Sequence, residues 1–243
     1  MEWQNRGVVV GVVVAKSLRE SLGSMSLEVT TQDSSALTEA QLEEMLTIEG
    51  SFGLEQFQKA QQDWVLCTLA RLDGKLHGVT FSTLERIGGT PCVLLGLMTI
   101  KRTAKRDSIL KGLMGEAYHR ALMAFPDEDV VVGSRFPSAD GMEAFKSLTD
   151  IIPRFEHRAD GEARAWGKRL ARRFKVDATY DEKTFTVASG GQSGFLDHVS
   201  LKPEKISDEI TTLFKGVNAK KGGVLIVHGW TMAESLVKLG ARS

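Results

Sequence analysis

The hydrophobic positions fall into two rhythms. Runs that are continuous or alternate with polar residues mark strands at Leu27–Thr31, Trp64–Leu72, Leu76–Leu84, Cys92–Ile100, Val130–Gly133 and Ile151–Phe155. Between them apolar residues recur at helical spacing: Leu42, Met45 and Leu46; Leu54 and Phe57; then Ile109, Leu110, Leu113, Met114, Ala117, Ala121 and Leu122. The last stripe predicts a long helix ending near Phe125, with Asp107 or Ser108 as its cap. Cys92–Ile100 is almost unbroken in its apolar character, which suits a strand covered on both faces. Pro153 places Ile151–Phe155 at an edge or a bend.

Local punctuation agrees with these elements. Thr38-Glu-Ala-Gln41 fits a capping box, and Gly50 is a stop for the helix that follows it. Asp73-Gly74-Lys75 joins two β-rich runs as a tight hairpin turn, and Gly88-Gly89 marks a second turn. Ser138 caps a further helical stretch in which Met142, Phe145 and Leu148 face inward.

From Asp160 the pattern changes. Ala163, Trp166, Gly167, Leu170, Ala171 and Phe174 form one helical stripe, with Arg164, Lys168, Arg169, Arg172 and Arg173 mostly outside it. Val176–Tyr180 and Thr184–Ala188 read as a hairpin, Ser189–Gly194 as a joint, Glu204–Phe214 as a helix, Val224–His228 as a strand, and Thr231 opens a short helix. The apolar Val8–Ala15 is about half the length a membrane helix needs. The organisation expected is an N-terminal extension (1–25), a main α/β domain (26–158) and a C-terminal extension (159–243).

Charge and composition narrow the functions. The 243 residues carry 31 basic and 31 acidic side chains, so no overall field attracts nucleic acid or a membrane surface. A solvated face is the favoured reading of the basic helix Arg164–Lys175, with an acidic partner as the alternative. Cys67 and Cys92 fall in strands without metal-ligand spacing and are expected as reduced core thiols, which suits the cytoplasm. The five histidines are scattered and support no metal site. Val224–Trp230 has the strand-and-His-Gly look of a hydrolase, but no nucleophile elbow occurs in the chain, so His228 reads as the end of a buried strand.

The remaining candidate chemistry lies in Val93–Leu122, VLLGLMTIKRTAKRDSILKGLMGEAYHRAL, where an apolar strand enters a basic loop that opens a helix. That order aims helix-start N–H groups at an anion. Strand, two helices, hairpin, long strand, basic loop, helix, strand, helix and strand over Ser26–Phe155 resembles the GNAT superfamily of acyl-CoA-dependent N-acyltransferases. The resemblance implies a mixed central sheet flanked by helices, with a fourth strand that splays from the fifth to receive the pantetheine arm.

It also implies cofactor contacts from Ile100, Lys101, Arg102, Lys105, Arg106, Asp107, Ser108 and Lys111. Lys105 falls on the family's first basic position, while Ser108 and Leu110 replace its two loop glycines, and a leucine side chain there is expected to crowd the phosphates or redirect the loop. Ser138 and Phe145 stand where the family places Asn and a proton-donating Tyr, and Glu85 is the nearest candidate base. The implied reaction moves an acyl group from acetyl-CoA, a longer acyl-CoA or an acyl-carrier protein to an amine, without a metal. Alternatives are a non-catalytic acyl-CoA-binding or regulatory module and an interaction protein using helix 164–175; a homodimer is left open.

Overall fold

The computed structural model describes residues 26–49, 51–190 and 205–240. Val8–Ala15, the Gly50 stop, most of the Ser189–Gly194 joint and Glu204 lie outside the described residues. The fold is built outward from one mixed sheet. Its strands are β1 (Leu27–Asp33), β2 (Leu66–Leu72), β3 (Lys75–Ile87), β4 (Thr90–Ile100), β5 (Val130–Phe136), β6 (Thr149–Ile152), β7 (Tyr180–Asp181), β8 (Thr186–Val187) and β9 (Val224–Thr231). They run in the spatial order β1-β2-β3-β4-β5-β9-β8-β7, with β6 on the remaining edge of β9.

Local sequence signals explain the first half. Helix α1 (Glu39–Met45) starts at the expected capping box: Thr38 Oγ1 accepts from the Gln41 N–H at 3.3 Å, and Gln41 Oε1 accepts from the Thr38 N–H at 3.0 Å. Helix α2 (Leu54–Asp63) follows. Both hairpins turn on two residues of positive φ, Asp73 (49°) and Gly74 (77°), then Gly88 (60°) and Gly89 (90°), the geometry that matches strand twist. The second turn makes β3 longer than its apolar run suggests, since it continues through Glu85 and Arg86 to pair Ile87 with Thr90.

The two sheet faces bury separate cores. Helix α3 (Arg106–Ala124) lays Ile109, Leu110, Leu113 and Met114 on one face, with Met142, Phe145 and Leu148 beside it. Residues 139–145 form 3₁₀ turns there rather than a regular helix. On the other face lie α1, α2 and α4 (Gly161–Arg173), packed through Leu42, Phe57, Trp166 and Leu170.

The C-terminal residues complete this sheet. β9 pairs antiparallel with β5 from Val130↔Thr231 to Phe136↔Leu225, while β6 and β8 share its other edge. Strand β9 extends three residues past His228, so His228 sits within it rather than at its end. Helices α5 (Asp208–Leu213) and α6 (Ala233–Leu239) join the α3 face through Ile210, Leu213 and Leu236. Cys67 and Cys92 are free and buried in β2 and β4.

Candidate functional site

Two neighbouring strands part company at the sheet centre. β4 and β5 pair in parallel only through Cys92↔Val131, Val93↔Val132 and Leu94↔Gly133. Beyond that point the ladder stops. The buried Ser134 side chain spans the opening instead, donating its hydroxyl to the Leu95 carbonyl at 3.1 Å. The β3–β4 register shifts at the same level: Thr80 pairs with Met98 and Ser82 with Leu95, so β4 carries one extra residue around Gly96 and Leu97.

The basic loop begins where β4 ends. Ile100 is buried, and the Lys101 N–H donates to the His77 carbonyl at 2.7 Å, fixing the exit from the sheet. The backbone then closes a turn, with the Arg106 N–H donating to the Thr103 carbonyl at 3.0 Å. This turn starts α3 at Arg106, with Lys105 at the N-cap and no side-chain cap, correcting the expectation that Asp107 or Ser108 caps the helix. Asp107 lies inside the first turn and accepts from Arg106 at 2.7 Å. That guanidinium holds the Asp107 carboxyl below its ordinary value, and nearby Lys146 acts in the same direction.

Lys101, Arg102, Lys105, Ser108 and Lys111 are exposed around this helix start, and Arg106 is half-buried. With the Arg106 N–H engaged, the first-turn N–H groups of Asp107 and Ser108 are the helix donors left for an anion. Leu110 does not crowd that position: it is 2% exposed and turned into the α3 core, because its place on the helical stripe faces the sheet. The loop residues expected to act together are thus gathered on one strand end and one helical turn.

Glu85 is placed elsewhere. It pairs with Cys92 near the other end of β4, roughly 26 Å of strand from Ile100 at about 3.3 Å per residue. Its carboxylate accepts from Arg173 Nε at 2.6 Å. Phe145 is fully buried and meets Phe136 edge to face at 5.2 Å, so an apolar contact occupies the position the resemblance gives to a tyrosine. Both tyrosines lie outside β4 and β5. Tyr118 lies 3.4 Å from Ser147, with burial raising its phenol to about 12, and Tyr180 packs against Gly167 of α4.

A second set of residues meets the opening from the opposite face; of these the sequence singled out only Arg173 and Lys175, as part of the basic helix Arg164–Lys175. Trp64 lies flat over Gly96, where an added Cβ would fall 2.1 Å from the indole. Arg135 of β5 is 7% exposed, donates from Nη1 to the Phe174 carbonyl at 2.9 Å, and stacks on the Phe174 ring at 5.2 Å. Burial lowers its pKa to about 10, opposed next by Asp63, with Arg173 adding a smaller lowering effect. Trp64, Arg135, Asp63, Lys59, Arg173 and Lys175 line one cavity of about 160 Å³. The available signal was an arginine inside an otherwise apolar or small strand, Val130–Phe136, whose expected end was Gly133.

Among solved structures, the chain is similar to ElaA from Escherichia coli, at 16% identity over 56% of this chain and 95% of that one, TM-score 0.38. An acetyltransferase of the GNAT family from Streptococcus pneumoniae is 11% identical over 54% and 90% of the two chains, TM-score 0.35. The ribosomal-protein-S18-alanine N-acetyltransferase from Escherichia coli is 14% identical over 56% and 86%, TM-score 0.33. No protein-family model and no curated protein matches the sequence. Among the described residues no group of His, Cys, Asp and Glu could hold a metal ion, and no helix is long and apolar enough to cross a membrane.

Proposed function

We propose that this protein is a GNAT-like acyltransferase that moves an acyl group from acetyl-CoA or a longer acyl-CoA to an amine. One observation carries the reading: β4 and β5 separate after Leu94 and Gly133, and the freed strand runs directly into a cationic helix start. The donor set fits a diphosphate. Two backbone N–H groups, Lys101, Arg102, Lys105 and Lys111 surround one helical turn, and a helix start favours negative charge. The transfer forms a C–N bond between the amine and the thioester carbonyl carbon and breaks the C–S bond. The thiolate leaves, and the proton lost by the amine balances it. Acyl-carrier protein is the alternative donor, and the cytoplasm is the proposed location, supported by two buried free thiols. Residues 26–158 supply the transferase elements, and 159–243 are proposed as the extension that covers β5.

The test is release of free thiol from acetyl-CoA and longer acyl-CoAs in the presence of amine pools, run beside thermal unfolding with the same ligands. A binder saturated a hundredfold above its Kd gains about 2.7 kcal/mol. Stabilisation with amine-dependent thiol release supports the transferase; absence of both with every donor overturns it. Phe145, packed on Phe136 where a proton donor was expected, favours a second reading as a binding module. Stabilisation without thiol release selects that module.

A further inference from the structure

We infer that the exposed cationic face at the end of α4 docks an acidic polypeptide, whose amine enters the adjoining cavity and is acylated there. The inference rests on the acyl-transfer reading for the amine and on α4 alone for the acidic chain. Lys168, Arg172 and Lys175 are exposed and recur at helical spacing, so they share one face, with Lys175 just past the helix end. Arg173 is turned away from them to Glu85, at 2.6 Å. Lys168, Arg172 and Lys175 make no ion pair among the described residues. A helix C-terminus is balanced by roughly half a positive charge, and three whole cations exceed that several-fold. Acidic and basic residues balance at 31 each over the chain, so this unpaired cluster is a local feature.

Lys175 joins this face to the strand opening. It lines the cavity of about 160 Å³ together with Trp64, and Trp64 lies over Gly96, where β4 has left β5. The cavity reaches the opening from the face opposite α3, so an amine seated there meets a donor arriving past the α3 start. Trp64 supplies a second sign of a ligand. It is 5% exposed, and its Nε1–H is buried without a hydrogen-bond partner. A buried donor left unpaired is costly, and a peptide carbonyl entering the cavity satisfies it. About 160 Å³ suits one chain end or one lysine side chain rather than a whole drug-sized molecule.

Charge and reach decide the class of partner. Arg172 and Lys168 stand one and two turns back from Lys175, roughly 10 Å along the helix at about 1.5 Å per residue. An extended chain crosses that distance in about three residues. A short run of Asp or Glu beside the amine therefore meets all three cations, and complementary charge of this kind sets which partner docks. Lys175 also occupies the left-handed position after α4, φ 58°, where glycine is the usual residue. A polynucleotide fits this surface less well. It has no aliphatic amine to acylate, and the rings at this end of α4, Trp166 and Phe174, are buried and closed to stacking.

The experiment uses the full chain and two peptides labelled with fluorescein at the C-terminus. Each has a free N-terminus, a central run of four residues and one lysine after it; the run is glutamate in one and glutamine in the other. Fluorescence anisotropy at constant ionic strength, without acetyl-CoA, should give the glutamate peptide at least a tenfold lower Kd. Lys168→Gln, Arg172→Gln and Lys175→Gln combined should erase that preference and leave thermal stabilisation by acetyl-CoA unchanged. A charge-matched control on other exposed lysines, Lys215→Gln, Lys220→Gln and Lys221→Gln, should keep it. Equal affinity for the two peptides overturns the inference, as does a preference that survives the α4 variant or is lost in the control. Tighter binding of a single-stranded oligonucleotide of the same net charge overturns the polypeptide assignment. With acetyl-CoA added, the glutamate peptide should release thiol with at least tenfold higher kcat/KM. Measurable transfer that is no faster than with the glutamine peptide overturns its role as acceptor. A charge-dependent preference without thiol release from any amine supports the docking surface, and only the transferase reading fails.

Discussion

At Lys175 a side chain sits where backbone geometry would rather have none. The left-handed conformation at φ 58° costs a non-glycine residue on the order of 1 kcal/mol, and the capping bonds around it require that conformation. Lys175→Gly should therefore raise unfolding stability by about 1 kcal/mol in urea, even as it weakens binding of an acidic peptide. A variant no more stable than the parent would show that the lysine is unstrained. The two cysteines make a complementary case, in which burial decides reactivity. Burial pushes the Cys67 thiol well above its ordinary range and the Cys92 thiol up to about 12, so neither forms the reactive thiolate near neutral pH. A thiol reagent should count no cysteines in the native chain and both in denaturant. Native labelling at either position would contradict the packing of β2 and β4. The same inertness keeps the background low in an assay that reads released thiol.

The proposed donor site at the α3 start combines several weak interactions, so its parts should be separable by mutation. Lys105→Ala with Arg106→Ala should raise the acetyl-CoA Kd at least tenfold, about 1.4 kcal/mol, in a binding titration. Arg172→Ala with Arg173→Ala should leave that Kd unchanged, because Arg173 is engaged with Glu85 on the other face. The reverse order would move the donor site to α4. Asp107 is the opposing charge in this turn. Its carboxyl is kept ionised by Arg106 and competes for the helix end that a phosphate would occupy. Asp107→Asn should tighten acetyl-CoA binding several-fold, and salt should weaken binding in both proteins. Weaker binding in the asparagine variant would mean that Asp107 serves mainly to orient Arg106.

Across the whole molecule, the legible features were those whose causes are local. The Thr38–Gln41 capping box, the Asp73-Gly74 turn and the α3 stripe each depend on residues a few positions apart, and each forms as expected. The Arg135 cavity was not legible, because a charged residue ended the apolar pattern of β5 while its burial comes from α4, almost forty residues later. Insertion of β9 beside β5 leaves no local trace either, since the partners are separated by about ninety residues and the pairing is set by the whole sheet. That pairing buries His228, which is 1% exposed and tilted against Phe185 at 6.1 Å. Burial lowers its pKa from 6.5 to about 4. The unfolded chain therefore binds the proton first. Stability is fully present above about pH 6.5 and falls as pH drops towards 4, by on the order of 2–3 kcal/mol at pH 4.5. The carboxyls of Glu44 and Asp107, held low by Arg71 and Arg106, lose their contributions only below their ordinary values of 4.5 and 3.8. Between pH 6.5 and 4.5 the slope thus belongs to His228 and, in the same direction, to His77, whose pKa burial also lowers from 6.5. Urea unfolding across that window should show a falling midpoint for the parent and a distinctly shallower fall for His228→Asn, the remainder belonging to His77. An equal slope in both proteins would place the acid-sensitive group outside the β5–β9 pair.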